Sequence, residues 1–255
     1  MNIKSVALIP ARSGSKRVPN KNIRLLNDHP LLAYTICSAI ESGIFDSVIC
    51  ATDSPSYAEI AKYYGAEVPF LRSKEISGDK SPDIEWVRWI LKELNHTGRN
   101  FDVFSLLRPT SPLRMPETIR RAFNIFINDV RADSLRAVEK CEQHPGKMWT
   151  IRGERMLPLM PFEYNKTPWH SSQYSALPEV YIQNASLEIA WTRIVVEKNS
   201  IAGDSIIPFI SEADEGFDIN QPDDWILLEQ YLLNNKVILP TVKKPPFNLS
   251  TLIEP

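Results

Sequence analysis

The sequence predicts an α/β protein: a mostly parallel, Rossmann-like sheet with helices on both faces and a small inserted dimerisation subdomain. Three observations carry this expectation. Short apolar runs alternate with helix-spaced segments through the first half of the chain. Polar loops rich in Pro and hydroxyl residues follow three of those runs, where open α/β sheets bind ligands. The rhythm then breaks over about residues 139–180, which are rich in Pro, Met, His and aromatic side chains.

Val6 to Ile9 reads as a buried strand, and Leu31 to Ser42 as a helix with Pro30 at its first turn and Gly43 as its stop. Ser47 to Ala51 is a second strand, running into Thr52-Asp53-Ser54. Ser56 to Tyr64 is a helix ended by Gly65, and Glu67 to Leu71 a short strand or extended segment. Pro82 to Leu94 is a helix whose Asp83 and Glu85 suit its positive end. Asp102 to Leu107 is a third clear strand, Pro116 to Phe126 a helix and Ser134 to Val138 a strand. Within the irregular stretch, Arg152-Gly153-Glu154 marks a turn, and Trp149, Phe162, Tyr164 and Trp169 supply core or interface. Tyr181 to Trp191 returns to strand, and a last helix runs from Pro222 through Leu233. The expected organisation is one domain over residues 1–233 with the insert, then a Pro-rich tail over 234–255, extended and either draped on a neighbour or partly mobile.

The 255 residues carry a formal net charge of −2, which favours neither nucleic acid nor a membrane surface as partner. Three cysteines, Cys37, Cys50 and Cys141, fit no zinc spacing and read as small residues in a reducing compartment. No signal peptide precedes the first strand and no apolar run approaches membrane-spanning length, so the expected location is cytoplasmic.

The basic residues are instead concentrated in the loop after the first strand, Pro10-Ala11-Arg12-Ser13-Gly14-Ser15-Lys16-Arg17-Val18-Pro19-Asn20-Lys21-Asn22. Backbone amides, hydroxyls and cations at a strand end are what polyphosphate binding requires. The loop is neither a Walker A motif nor a dinucleotide GxGxxG. It points to a nucleotide enzyme.

Ile9 to Asn22 resembles the signature loop of the acylneuraminate cytidylyltransferases, the CMP-sialic acid synthetase group, whose pattern IPARxGSKxxPxKN is met at every fixed position. The resemblance continues through Ala51-Thr52-Asp53-Ser54, Leu71-Arg72, Leu107-Arg108-Pro109-Thr110-Ser111-Pro112-Leu113-Arg114, His144-Pro145-Gly146-Lys147 and Asp218-Ile219-Asn220. It implies transfer of CMP from CTP to the anomeric hydroxyl of an acidic sugar, release of pyrophosphate, a need for Mg²⁺ and a homodimer. It also implies roles for residues. Arg12, Ser15 and Lys16 hold phosphates, Lys21 adds a cation, and Lys16 and Lys21 stabilise the leaving group. Ala11, Ser13 and Gly14 complete the loop, with Asn22 near the nucleotide. Arg72 and the Asp79-Lys80-Ser81 segment lie by cytosine and ribose, and Arg108, Pro109, Thr110 and Ser111 form the wall towards the sugar. Lys147, Gln173, Tyr181, Gln183 and Asn184 are candidates for the sugar site. Asp218 is the metal carboxylate, with Asn220 a weak ligand or a holder of metal-bound water. Asp223, Asp224 and Asp53 read as helix-capping acids.

Three departures bear on the substrate. The family commonly has Gln where Arg108 stands, and a guanidinium there suits a carboxylate or phosphate. It has Asp-x-Asp where this chain has Asp218-Ile219-Asn220, and Phe-Arg-Pro-Asn-Gly where it has Tyr181-Ile182-Gln183-Asn184-Ala185. Sialic acid and a related nonulosonic acid both stay open as substrate. So do a sugar nucleotidyltransferase with another sugar or nucleotide, and a nucleotide-binding paralogue with weakened catalysis.

Overall fold

The computed structural model describes residues 3–160 and 166–252. Phe162 and Tyr164 lie outside the described residues. The chain divides into two compact units, one formed by Met1–Ala137 with Asn184–Pro255 and the other by Val138–Gln183.

The larger unit is built on β1 (Ser5–Pro10), a short ribbon of β2 (Leu25–Leu26) and β3 (His29–Pro30), and helix α1 (Leu31–Ser42). Then come β4 (Ser47–Ala51), α2 (Pro55–Tyr63), α3 (Asp83–His96), β5 (Val103–Leu106), α4 (Pro116–Asn128) and β6 (Ser134–Lys140). The hairpin of β7 (Trp149–Arg152) and β8 (Arg155–Pro158) belongs to the smaller unit. β9 (Tyr181–Trp191) leads back, followed by α5 (Thr192–Glu197), β10 (Ile206–Ile210) and α6 (Pro222–Leu233).

The main sheet has the order β10-β6-β9-β5-β1-β4. β1 pairs in parallel with β4 on one side and β5 on the other, while β9 runs antiparallel to β5. The chain thus steps from β1 outward to β4, then crosses back to β5. The crevice where the order reverses lies at the carboxyl ends of β1 and β5, the position at which such sheets bind ligands.

Alternation along β1 explains why helices cover both faces. Ala7 and Ile9 pack with Leu32 and Ile36 of α1, Ile60 of α2 and Phe126 of α4. Val6 and Leu8 face the other way, against Trp86, Val87 and Ile90 of α3 and Ile194 of α5. A third cluster joins Val18 of the first loop to Leu31, Trp225 and Leu228, so α6 packs beside that loop.

The helix over 31–42 and the strands over 47–51 and 181–191 fall where the sequence pattern predicts. Gly43 ends α1 at φ 66°, a left-handed turn that glycine adopts without strain. Glu67 to Leu71 forms only a single parallel bridge from Glu67 to Ile49, because Pro69 interrupts any ladder. Part of the tail packs against its own chain. Lys244 Nζ donates to the Tyr63 carbonyl, and the Phe247 amide donates to Tyr64 Oη at 3.0 Å. The Phe247 ring meets Tyr63 edge-on at 5.2 Å. Among the described residues no helix is long and apolar enough to cross a membrane. The three cysteines are free thiols.

In the smaller unit the hairpin turns at Gly153, with φ 59°. Its strands are exposed, with Ile151, Met156, Leu157 and Trp149 all open to solvent. His144 organises the neighbouring turn. Its Nδ1 accepts from the Gly146 amide at 2.9 Å and its Nε2 lies 3.1 Å from the Pro178 carbonyl.

Candidate active site

The loop after β1 owes its shape to distant partners. Ala11 is fully buried and its amide donates to the Ala51 carbonyl at 3.0 Å, extending the β1–β4 pairing by one step. Ser13 donates from its amide (2.7 Å) and its hydroxyl (2.8 Å) to the Asp53 carboxylate. Asp53 therefore does not cap α2; Ser54 does, accepting from the Tyr57 amide at 3.4 Å. Asp53 instead clamps the first loop and engages the Ser13 hydroxyl. Gly14 follows at φ +72° with nothing near its Cβ position, so the backbone conformation is what calls for glycine there. Asn22 is buried and donates to the Arg12 carbonyl at 3.1 Å, bracing the loop from within.

A cleft of about 220 Å³ opens above this loop, lined by Arg12, Ser15, Lys21, Asn22, Arg72, Ser81, Arg108, Pro109 and Thr110, with Asp79, Asp83 and Trp86. It adjoins a second hollow of about 420 Å³ lined by Arg12, Ser15, Lys16, Arg17, Lys21 and Asn220. Together these contain the predicted phosphate and nucleoside residues at the switch point of the sheet. Ala11 and Ser13 support the loop from below, and Ser111 is buried with its hydroxyl unpartnered.

Lys21 Nζ donates to the Ile219 carbonyl at 2.5 Å. Burial pulls its pKa below the ordinary lysine value, opposed by Asp218 and lowered further by Arg17. Arg72 is buried with its guanidinium 5.0 Å from the Trp86 ring centroid; it donates to the Ile76 carbonyl and its Nε has no partner. Ser81 Oγ donates to the Glu75 carbonyl at 3.1 Å, shaping the segment before α3.

Asp79 lines the first cleft together with Arg72 and Ser81, and its carboxylate meets Arg12 at 2.6 Å and also pairs with Lys16. Those two cations hold its pKa below the usual aspartate value.

Arg108 does pair with carboxylates, but with the protein's own: Asp83 at 2.7 Å and Glu188 at 2.9 Å. Glu188, nearly buried on β9, is shared with Arg136 of β6. Burial lowers the Arg136 pKa to about 10, with the Arg108 charge contributing. Arg108 Nη1 is buried without a partner. Arg114, at the end of the same motif, is a fully buried brace. It donates to Thr35 Oγ1 at 3.0 Å, to the Ser186 carbonyl and to the Arg108 carbonyl at 3.3 Å. The loop after β5 is thereby tied to α1 and β9 at once. Local pattern carries no sign of Asp83, Glu188 or Trp86 as site residues: Asp83 and Trp86 read only as the start of a helix, and Glu188 meets Arg108 only through the fold.

Asp218 Oδ2 accepts from Asn220 Nδ2 at 2.6 Å, while Oδ1 is buried with no partner. Asp224 accepts from the amides of Asn220 and Gln221 at 2.7 Å and so caps α6. Among the described residues no cluster of three or more His, Cys, Asp or Glu side chains could hold a metal without help from a ligand.

The remaining predicted sugar residues are partly spent on structure. Asn184 is buried and donates to Ser211 Oγ at 2.9 Å. In the smaller unit, Lys147 Nζ donates to the carbonyls of His170 (3.1 Å) and Ser172 and sits 5.4 Å from the Tyr174 ring. Gln173, Tyr181 and Gln183 are exposed there.

Comparison with known proteins agrees with this geometry. Residues 6–144 match the cytidylyltransferase family model. The CMP-N,N'-diacetyllegionaminic acid synthase of Legionella pneumophila is 34% identical over 235 residues, 92% of this chain and 98% of that protein. The N-acylneuraminate cytidylyltransferase of Escherichia coli is 43% identical over 126 residues, 49% of this chain but 29% of its own length. The pseudaminic acid cytidylyltransferase of Campylobacter jejuni is 36% identical over 127 residues, 50% of this chain and 55% of its own. A CMP:2-keto-3-deoxy-manno-octonic acid synthetase complexed with CTP shares the fold, with a TM-score of 0.67 at 14% identity over 91% of this chain and 99% of that one. With the signature loop, the switch-point cleft and a near full-length relative in agreement, the chain belongs to the cytidylyltransferase family.

Proposed function

We propose that the protein transfers CMP from CTP to the anomeric hydroxyl of a nonulosonic acid. The hydroxyl oxygen attacks the α-phosphorus, the bond to the β-phosphate oxygen breaks, and pyrophosphate leaves. The observation that carries this reading is the convergence of Arg12 and Lys21 with Arg72 and Ser81 on one cleft at the switch point, adjoined by the hollow that Lys16 lines. Negative charge grows on the α-phosphoryl oxygens and the leaving pyrophosphate, and fixed cations at those places lower the barrier. Lys21 is anchored by the Ile219 carbonyl, and Arg12 and Lys16 pair with Asp79. Arg72, Ser81 and Asn22 are assigned to the nucleoside side, and Pro109 and Thr110 to the wall facing the sugar.

The residues present fit Mg²⁺. Asp218 offers a buried, unpartnered carboxylate oxygen, and Asn220 beside it has a neutral carbonyl oxygen, while Mg²⁺ takes most of its other ligands from water and phosphate. When bound, the ion neutralises phosphate charge. Asn220, in place of a second aspartate, favours one other reading, a paralogue that binds CTP but turns it over weakly.

The similarity to the legionaminic acid enzyme over nearly its full length supports a diacylated nonulosonic acid as the first substrate to try. Incubation with CTP, Mg²⁺ and a panel of nonulosonic acids, followed by mass spectrometry, tests the proposal. A CMP-linked sugar acid is expected. Absence of any product with CTP across the panel refutes it, and CTP binding without turnover at any Mg²⁺ or Mn²⁺ level establishes the weakened paralogue. We assign the reaction to the cytoplasm, where CTP is available. The exposed apolar hairpin, with Ile151 75% and Met156 57% exposed, supports a homodimer through the smaller unit. Light scattering on the purified chain tests it, and a monomer at micromolar concentration removes the assignment.

A further inference from the structure

The two cations nearest the phosphate loop's tip are not free. Asp79 bridges them, and the described residues show its carboxylate no other partner. Asp79 lies on a segment that is otherwise secured without it. Arg72 donates to the Ile76 carbonyl, Ser77 Oγ to the Ser73 carbonyl at 2.8 Å, and Ser81 Oγ to the Glu75 carbonyl at 3.1 Å. The carboxylate is about one-third exposed and Lys16 is 81% exposed, so the bridge contributes little to holding the fold. Its location is the informative part. Asp79 lines both hollows of the candidate site, where a ligand phosphate would meet Arg12 and Lys16.

We infer that Asp79 is a positioning and affinity-setting residue: it occupies the phosphate cations in the nucleotide-free protein, and CTP must displace it. This deepens the proposed function and rests on it. An anion entering the site has to replace one carboxylate on two cations, and its own charge is repelled by Asp79 until that side chain swings away. A triphosphate brings enough charge to win this exchange; a monophosphate gains much less. After phosphoryl transfer the same carboxylate is at hand to reclaim Arg12 and Lys16 and so helps expel pyrophosphate.

The test compares D79N with the unaltered protein by calorimetric binding of CTP, CMP and inorganic pyrophosphate, and by initial rates. Asparagine keeps the shape and removes the competing charge. CTP and pyrophosphate are expected to bind roughly threefold to tenfold tighter to D79N, as the loss of two weak, solvent-screened ion pairs allows, and CMP to gain less. The KM for CTP falls in step and pyrophosphate becomes the stronger product inhibitor. The gain shrinks as salt is raised. D79E, which keeps a carboxylate within reach of both cations, stays close to the unaltered protein. E75Q removes a negative charge from the same segment without touching Arg12 or Lys16, and leaves CTP affinity unchanged. Equal or weaker CTP binding by D79N overturns the inference, as does an equal gain in E75Q. If the unaltered protein binds no CTP, the proposed function has failed first, and the two failures are distinguishable.

Discussion

Replacing Arg108 by Gln, the residue common in the family at this place, tests the charge network beneath the cleft. Glu188 is the element at risk. Its side chain is 6% exposed and it is held by Arg108 at 2.9 Å and by Arg136. Leaving a buried carboxylate wholly uncompensated costs roughly 3–5 kcal/mol. Here Arg136 remains, so about half of that is expected, roughly 2 kcal/mol. The pair with Asp83 joins side chains that are 25% and 34% exposed and adds at most about 1 kcal/mol. R108Q should therefore lower stability by roughly 2–3 kcal/mol, read by urea denaturation with an unchanged m-value. In an E188Q background the same substitution should cost at least about 1 kcal/mol less, since the pair is then already broken. Freed of its partner, Asp83 also leaves an unbalanced negative charge in the nucleotide cleft, so CTP affinity falls together with any change in sugar preference. A single variant within 0.5 kcal/mol of the unaltered protein, or a cost unaffected by E188Q, refutes the reasoning.

Other outcomes follow from neighbouring groups. Burial lowers the Lys21 pKa, so its ammonium begins to lose its proton at a lower pH than an ordinary lysine, and CTP KM should rise on the alkaline side. K21R, which stays charged, should flatten that alkaline limb even if its turnover is lower; an unchanged profile removes Lys21 from the site. D218N should raise the Mg²⁺ concentration needed for half-maximal rate by at least tenfold, and an unchanged metal titration counts against the assignment. Asp133, bonded to Lys198 at 2.6 Å and to the amides of Asp204 and Ser205, has its pKa lowered to about 2. Its stabilisation is present above the unfolded value near 4 and is lost as pH falls through 2. D133N should cost on the order of 1–2 kcal/mol near neutral pH, after allowance for solvent screening of Lys198, and the difference should close in acid.

The sequence reveals some of this molecule and hides the rest for a physical reason. Helix α1 and strand β9 are legible because their apolar spacing is strict and Gly43 or a change of period bounds them. The loop after β1 is legible because Arg12, Lys16 and Lys21 form a dense cationic run where a core cannot be. The short helix α5 and the edge strand β10 are not, since Thr192 to Glu197 is too brief for a helical period to declare itself and the strand is mostly exposed. Asp53 reads as a cap from its neighbours but is a clamp on Ser13, and nothing in the sequence around Asp79 shows that it pairs with Arg12 and Lys16. Arg108 reads as an unclaimed cation until β9 supplies Glu188. Charges declare their presence locally; their partners are decided by the fold.

The bond from Lys21 to the Ile219 carbonyl spans 198 positions of chain. Local opening therefore acts at a distance: fraying of the segment around Ile219, with the loop itself left intact, releases Lys21 from its anchor. A ligand that needs Lys21 held in place would in turn favour the state in which the two segments are folded together.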